Sequence, residues 1–442
     1  MNVFFKTNVI LSSLFNTFII KLLVAFGGIL LSIIISNLYG VHVLGEYFIF
    51  QMFVITSSVI ISLGFNETLV LFVSKFRFQL RVERFLYLSL FIATLLLLLV
   101  FFLYVFLGSF ISWPTSYEII SANIYLYFIS LFINLVSLIL SGYFRGLKKP
   151  VMAVFLENGF VSIILILIVL INYKLQVFIV NSVTIITFYT IALFVVLVIS
   201  LLINKLTKKE RPRLSQPEKK YYYDFVKRSK YFYIIVISGL VSTTLIALYL
   251  GAKLTPSDVA LFKVLQQIAV LVSFSLIVLN AVLPAHYSSF KVNNNYHEME
   301  KTAKLTSKYA TLLSLPFYLA CIFFPEALMY IFGDGFSNYS IPLLILATGQ
   351  LFNVSTGSVA SILKMCNFES YLSYIVLLTS FVSLIMLYIL TPLYGVVGAA
   401  VSLSSIYILQ NLLATILVVK LIGISPLFYL NIKVRRNEIK NS

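Results

Sequence analysis

A lysine interrupts the first long apolar run of the chain, Phe15-Asn16-Thr17-Phe18-Ile19-Ile20-Lys21-Leu22. An ammonium at the centre of a lipid-embedded helix costs about 2.5–3.5 kcal/mol. At helical pitch Thr17, Lys21, Ala25, Gly28, Ser32 and Ser36 share an arc of roughly 100°. Small residues alone would serve close helix packing. A lysine among them points to a cavity wall. The other open reading is that Lys21 snorkels to headgroups at the membrane edge. The run 259–283 places Lys263, Gln266, Gln267, Ser273 and Asn280 within roughly 140° of one face, with Lys263 equally readable as a rim lysine. The run 341–363 and the lysine after it carry Gln350, Asn353, Gly357, Ser361 and Lys364 at spacings of 3, 4, 4 and 3, a continuous polar face.

Glu157 is the most deeply embedded acid. It is a candidate site for a coupling ion, H+ or Na+, or a partner for Arg145 or Lys149. Gln410 and Asn411 read as hydrogen-bonding groups between helices. No glycine-rich phosphate loop, Ser/His/Asp set or metal-ligand spacing occurs. The two cysteines, Cys321 and Cys366, form no CxxC. The expected chemistry is therefore binding and passage, without a catalytic site, metal or resident cofactor.

These residues need a scaffold, and composition defines its class. Of 442 residues 61% are hydrophobic and 11% charged, against about 25% charged in soluble domains. Such a chain lacks the polar residues to cover a core, so lipid must be its solvent. The first apolar run lacks signal-peptide features and reads as a retained helix. Runs able to cross the hydrocarbon recur at 14–38, 47–66, 85–108, 119–142, 151–172, 175–203, 231–252, 259–283, 309–332, 341–363, 370–391 and 393–419. They predict an all-α protein of twelve transmembrane helices. Of the 32 Lys and Arg residues, Lys21, Lys174, Lys253 and Lys263 stand apart, and all the others fall on one side. The positive-inside rule puts that side, with both termini, in the cytoplasm. It also assigns the net charge of +17 to anionic lipid and not to nucleic acid. The expected domains are a six-helix bundle at 1–204, a basic linker at 205–230, a second bundle at 231–420 and a basic tail at 421–442. The linker is expected to end in an amphipathic stretch at the membrane surface, Tyr221–Lys230, or to be a plain tether.

The halves show weak self-similarity. "GEYFIFQ" (Gly45–Gln51) parallels "ALFKVLQ" (Ala260–Gln266). "LFINLVSLILSGYFR" (Leu131–Arg145) parallels "QLFNVSTGSVASILK" (Gln350–Lys364), matching Asn134 to Asn353 and Arg145 to Lys364. Six helices per half imply a parallel repeat about an axis along the membrane normal, two bundles meeting at a central cleft.

Five segments carry a resemblance to a known family. They are "NLYGVHVLGEYFIFQ", "LGFNETLVLFVSKFR", "LPAHYSSF", "LSLPFYLACIFFPEALMYIFGDGF" and "ATGQLFNVSTGSVASILK". In their order and spacing the chain resembles the Wzx-type polysaccharide flippases of the multidrug/oligosaccharidyl-lipid/polysaccharide exporter (MOP) superfamily. Lys21 matches that family's basic position in helix 1. Asn37 and Tyr39-Gly40 depart from its Arg and Leu-Gly, and Val24 replaces a second basic residue.

The resemblance implies transfer of undecaprenyl-pyrophosphate-linked oligosaccharide, an O-antigen or similar unit, across the bacterial inner membrane. It implies work beside a polysaccharide polymerase and chain-length machinery. A diphosphate needs a cationic, hydrogen-bonding route. On that reading Lys21, Thr17, Ser32, Lys263, Gln267, Asn280, Gln350 and Asn353 line it. Arg145 and Lys364 either meet phosphate at the cytoplasmic mouth or follow the positive-inside rule. The rivals are a multidrug or organic-cation antiporter of the same superfamily and a membrane polysaccharide polymerase.

Overall fold

The computed structural model of the chain describes residues 22–428 except 77–79, 109–112, 148, 157, 207–214 and 337–338. Thr17, Lys21 and Glu157 lie outside the described residues. Among the described residues the secondary structure is helical, apart from one isolated bridge between Leu80 and Ser215. Helices lie within every expected span among the described residues. Among the described residues seven are single helices long and apolar enough to cross a membrane, and two more spans qualify as bent pairs. The chain is an all-α, multi-pass membrane protein.

Contacts divide it into two compact units. One is Met1–Leu240 with Gly251–Ala260, and the other is Val241–Leu250 with Leu261–Ser442. The first contains α1 (Leu22–Tyr39), α2 (Val41–Ile61), α3 (Phe65–Phe76), α4 (Glu83–Leu107), α5 (Ile124–Gly146), α6 (Asn158–Leu175), α7 (Ser182–Leu206) and α8 (Lys219–Leu240). Burial here inverts the rule for water-soluble proteins. The most apolar span, α4, is only 11% buried, while α2 and α5 are 61% buried. Lipid tails are as apolar as leucine, so no hydrophobic force drives such a helix inward. What holds α2 and α5 inside is polar contact and close approach. Asn134 donates to Ser58 Oγ at 2.6 Å, Tyr127 donates to Ser57 Oγ at 2.6 Å, and Ser130 meets Thr190 of α7 at 2.7 Å. Gly142 of α5 lies so close to α3 that a Cβ there would collide with the Asn66 carbonyl.

The second unit takes in most of α9 (Pro256–Val272), then α10 (Phe274–Val292), α11 (Tyr296–Phe323), α12 (Ser340–Thr356), α13 (Val359–Met365), α14 (Glu369–Tyr394) and α15 (Val396–Leu417). Among the described residues two spans expected to be continuous are bent by more than 40° at a break. The eighth bends by 64° between α9 and α10, and the tenth by 45° between α12 and α13. At the first break the Ser273 N–H bonds the Val270 carbonyl, a tighter turn than the α-helical ladder. At the second, Gly357 has φ +70°, and an added Cβ would crowd Ser307 of α11 at 2.9 Å. Glycine alone meets both demands without strain. The continuous polar faces expected for these runs are corrected accordingly. Asn280 is parted from Lys263 and Gln267, and Ser361 and Lys364 are parted from Gln350 and Asn353.

Candidate functional site

The polar residues of the second unit join into a chain across three helices. α9 supplies Lys263 and Gln266, three residues apart, and the Lys263 ammonium donates to Gln266 Oε1 at 3.0 Å. The Tyr407 hydroxyl of α15 hydrogen-bonds to the side chains of both Gln266 and Gln350. α12 supplies Gln350 and Asn353 with the same three-residue spacing, and Asn353 Nδ2 donates to Gln350 Oε1 at 3.3 Å. Asn411 Nδ2, one turn after Tyr407, donates to Asn353 Oδ1 at 3.0 Å and to the Tyr407 carbonyl at 2.8 Å. Spacings of three and four bring such pairs to one helix face. Gln350 is buried at 4% exposure, while Lys263, Gln266, Asn353, Tyr407 and Asn411 are half-buried. A charged donor thus ends a run of neutral amides and one phenol. Each amide presents both donors and an acceptor, so the run can exchange internal bonds for bonds to a ligand oxygen.

The sign of the site follows from what surrounds it. Among the described residues every acid within an α-helix lies in its first two turns, from Glu46 in α2 to Glu369 in α14. Lys263 stands eight residues into α9. A cation with amide neighbours is suited to an anion. No group of three His, Cys, Asp or Glu that could hold a metal occurs among the described residues.

The other predicted residues are placed as follows. Ser32 is 1% exposed, and its hydroxyl donates to the Gly28 carbonyl at 3.0 Å. Gln267 is half-buried on α9 beside Gln266. Asn280, on α10, accepts from Ser361 of α13 at 3.2 Å, so the second segments of the two broken spans meet each other. Arg145 forms a 3.0 Å ion pair with Glu67, each about one-third exposed. Lys364 is exposed at the end of α13. Asn411 does bond between helices. Tyr407 was missed. Its signal was present in the four-residue spacing to Asn411, but tyrosines are too numerous in this chain for spacing to single one out.

The Asn353–Asn411 link can be weighed directly. Asn353→Leu and Asn411→Leu should each destabilise the protein by about 1 kcal/mol. Their double-mutant cycle should show a coupling of about 0.6 kcal/mol and no more than about 1.7 kcal/mol. Unfolding in mild detergent measures both, and additive effects would mean that the bond is not formed.

No family model and no curated protein sequence matches the chain. Solved structures do. It is similar to the lipid II flippase MurJ in an inward closed conformation, with a TM-score of 0.73 at 13% identity over 91% of this chain and 87% of that one. It is similar to an inward-facing multidrug resistance MATE transporter of the MOP superfamily, with a TM-score of 0.69 at 13% identity over 88% and 92%. A MOP-superfamily transporter from Pyrococcus furiosus, described as having a binding pocket of reversed polarity, gives 0.60 at 14% identity over 91% and 92%. The chain therefore has the fold shared by the MurJ flippase and the MATE transporters of the MOP superfamily.

Proposed function

We propose that this protein is a flippase of the bacterial inner membrane that moves a lipid-linked oligosaccharide diphosphate between leaflets. The observation that carries the reading is the Lys263-ended amide network, set in a chain with the fold of a lipid flippase and with its described acids confined to helix starts. A diphosphate in hydrocarbon needs donors and positive charge, while its lipid tail stays in the bilayer. Lys263, Gln267, Asn280, Gln350 and Asn353 serve the sugar-diphosphate head in the second bundle. Thr17, Lys21 and Ser32 serve it from the first. Arg145 and Lys364 are proposed to stand at the cytoplasmic mouth, with Arg145 already countered by Glu67.

The two bundles, 1–204 and 231–420, work by alternating access about a cleft, joined by the basic linker 205–230. Both termini are cytoplasmic on the charge distribution. Protons or sodium acting at Glu157 supply the coupling, and the polymerase and chain-length machinery take the product. The sugar unit is of the O-antigen class.

A second reading, a multidrug or organic-cation antiporter, draws equal support from the MATE likeness. The two diverge in the cell. Loss of a flippase strands complete lipid-linked units on the inner leaflet, whereas loss of a drug pump changes only drug sensitivity. A leaflet-resolved assay of lipid-linked units in a deletion strain decides between them. In the same assay Lys21→Glu should stop delivery and Lys21→Arg should preserve it. Normal delivery by the glutamate variant at matched protein level would remove Lys21 from the site.

A further inference from the structure

The basic stretch Lys219–Lys230 is not suspended as a free tether. It forms the first turns of α8, which continues without a break to Leu240. Its Phe225 is fully buried within the first unit. The ring stacks on Phe65 at 5.7 Å and on Phe85 at 5.3 Å, and meets Phe72 edge-on at 5.2 Å. Upstream, the Arg81 N–H bonds the Ser215 carbonyl at 2.9 Å, tying the stretch just before α8 to the segment after α3.

Between α3 and α8 this docking leaves a pocket of about 300 Å³. Three cations from two helices line it, Lys75, Lys220 and Arg228, against one acid, Asp224. Its apolar side is Leu71, 37% exposed, one turn before Lys75 on α3. Its aromatic side is Phe76 against Tyr221, with ring centroids 5.2 Å apart. α3 carries Lys75 in its last turn, α4 starts at Glu83, and α8 opens on Lys219 and Lys220. Phe85 of α4 packs on Tyr222 of α8 with ring centroids 5.5 Å apart and Phe76 of α3 packs on Tyr221, so these charged helix ends lie together beside apolar helix, which is the pattern of a membrane–water interface. The arrangement is thus an anion pocket bordered by surface suited to an acyl chain.

We propose that this pocket binds the phosphate headgroup of an anionic phospholipid. Basic pockets between membrane helices select such headgroups. The site shares no residue with the Lys263 network, so it stands whether or not the transport reading does.

The test uses the full chain in neutral detergent. Retention of phosphatidylglycerol, cardiolipin or phosphatidylcholine is measured by native mass spectrometry. At about fivefold per charge, the Lys75→Gln/Lys220→Gln/Arg228→Gln variant should retain phosphatidylglycerol or cardiolipin about a hundredfold less. Lys301→Gln/Lys304→Gln/Lys308→Gln removes the same charge from α11 and should leave retention unchanged. Asp224→Asn should raise it, and phosphatidylcholine should not be retained. Equal loss in both triple variants, or loss in neither, would overturn the proposal. So would binding of inorganic pyrophosphate at the pocket without retention of lipid. All the substituted cations except Lys304, which is half-buried, are exposed, so the fold should persist, and unchanged melting in detergent verifies that.

Discussion

Lys263→Glu should abolish delivery of lipid-linked units to the outer leaflet, whereas Lys263→Arg should preserve most of it. At about 4 Å and an effective dielectric of about 20, a unit charge pair is worth about 4 kcal/mol. Removing the attraction at Lys263 should therefore cost at least about a hundredfold in transport at limiting substrate. Reversing it costs more, because the diphosphate then meets repulsion. The variant also sets a carboxylate beside Gln266 Oε1, where the ammonium donates at 3.0 Å. Gln266 can rotate to offer its NH₂, so folding should survive. Lys263→Met separates charge from structure, since it keeps the stem and loses only the charge. It should melt within about 1 kcal/mol of the parent yet fail in delivery. Full delivery by the methionine variant at matched protein level would sink the anion role of Lys263. An antiporter of organic cations predicts the opposite ordering, with the glutamate variant favouring its substrate.

The largest effect on stability is expected at Gly142. A Cβ at this position would strike the main-chain carbonyl of Asn66, with the Asn66 Cα also in the way. A flexible side chain could yield, but backbone cannot, so α3 must move away from α5. Gly142→Ala should cost about 2–3 kcal/mol, and Gly142→Val more, as overpacking of a tight core does. The displacement also pulls Glu67 from Arg145, whose 3.0 Å bridge lies one turn along the same contact. That pair is partly exposed and adds about 1 kcal/mol at most. Gly28 is the control, with nothing within 4 Å of an added Cβ. Gly28→Ala should be neutral or stabilising by about 0.5–1 kcal/mol through helix propensity. Thermal unfolding of the three variants in one detergent gives the comparison. Equal melting of the Gly142 and Gly28 variants would mean that α3 and α5 are not in close contact.

The contrast between these glycines shows where legibility stops. Both sit in apolar helices beside small or aromatic neighbours, and sequence offers no sign of which one touches backbone. The same holds for Arg145 and Lys364, which the repeat aligns. One is paired with Glu67 and the other is exposed. Gly357 marks the sharpest departure from the repeat. Its counterpart in the first half falls inside α5, which runs unbroken from Ile124 to Gly146, while the tenth span bends by 45°. Reading the polar positions by helical period assumed a continuous helix, and the period fails at a break.

The amino-acid sequence by itself determined that this chain lives in a membrane, where its spans lie, and which positions within them are polar. Insertion into lipid is nearly a sum over consecutive residues, so hydropathy along the chain reads it directly. The three-residue spacings of Lys263 with Gln266 and of Gln350 with Asn353 were legible for the same reason, because each is set within one helix. Only the tertiary structure decided that α9, α12 and α15 bring these pairs together through Tyr407 and Asn411. Apolar helices in lipid attract one another weakly and without direction, so partners are chosen by a few hydrogen bonds and close contacts between residues far apart in sequence. No local period encodes those choices.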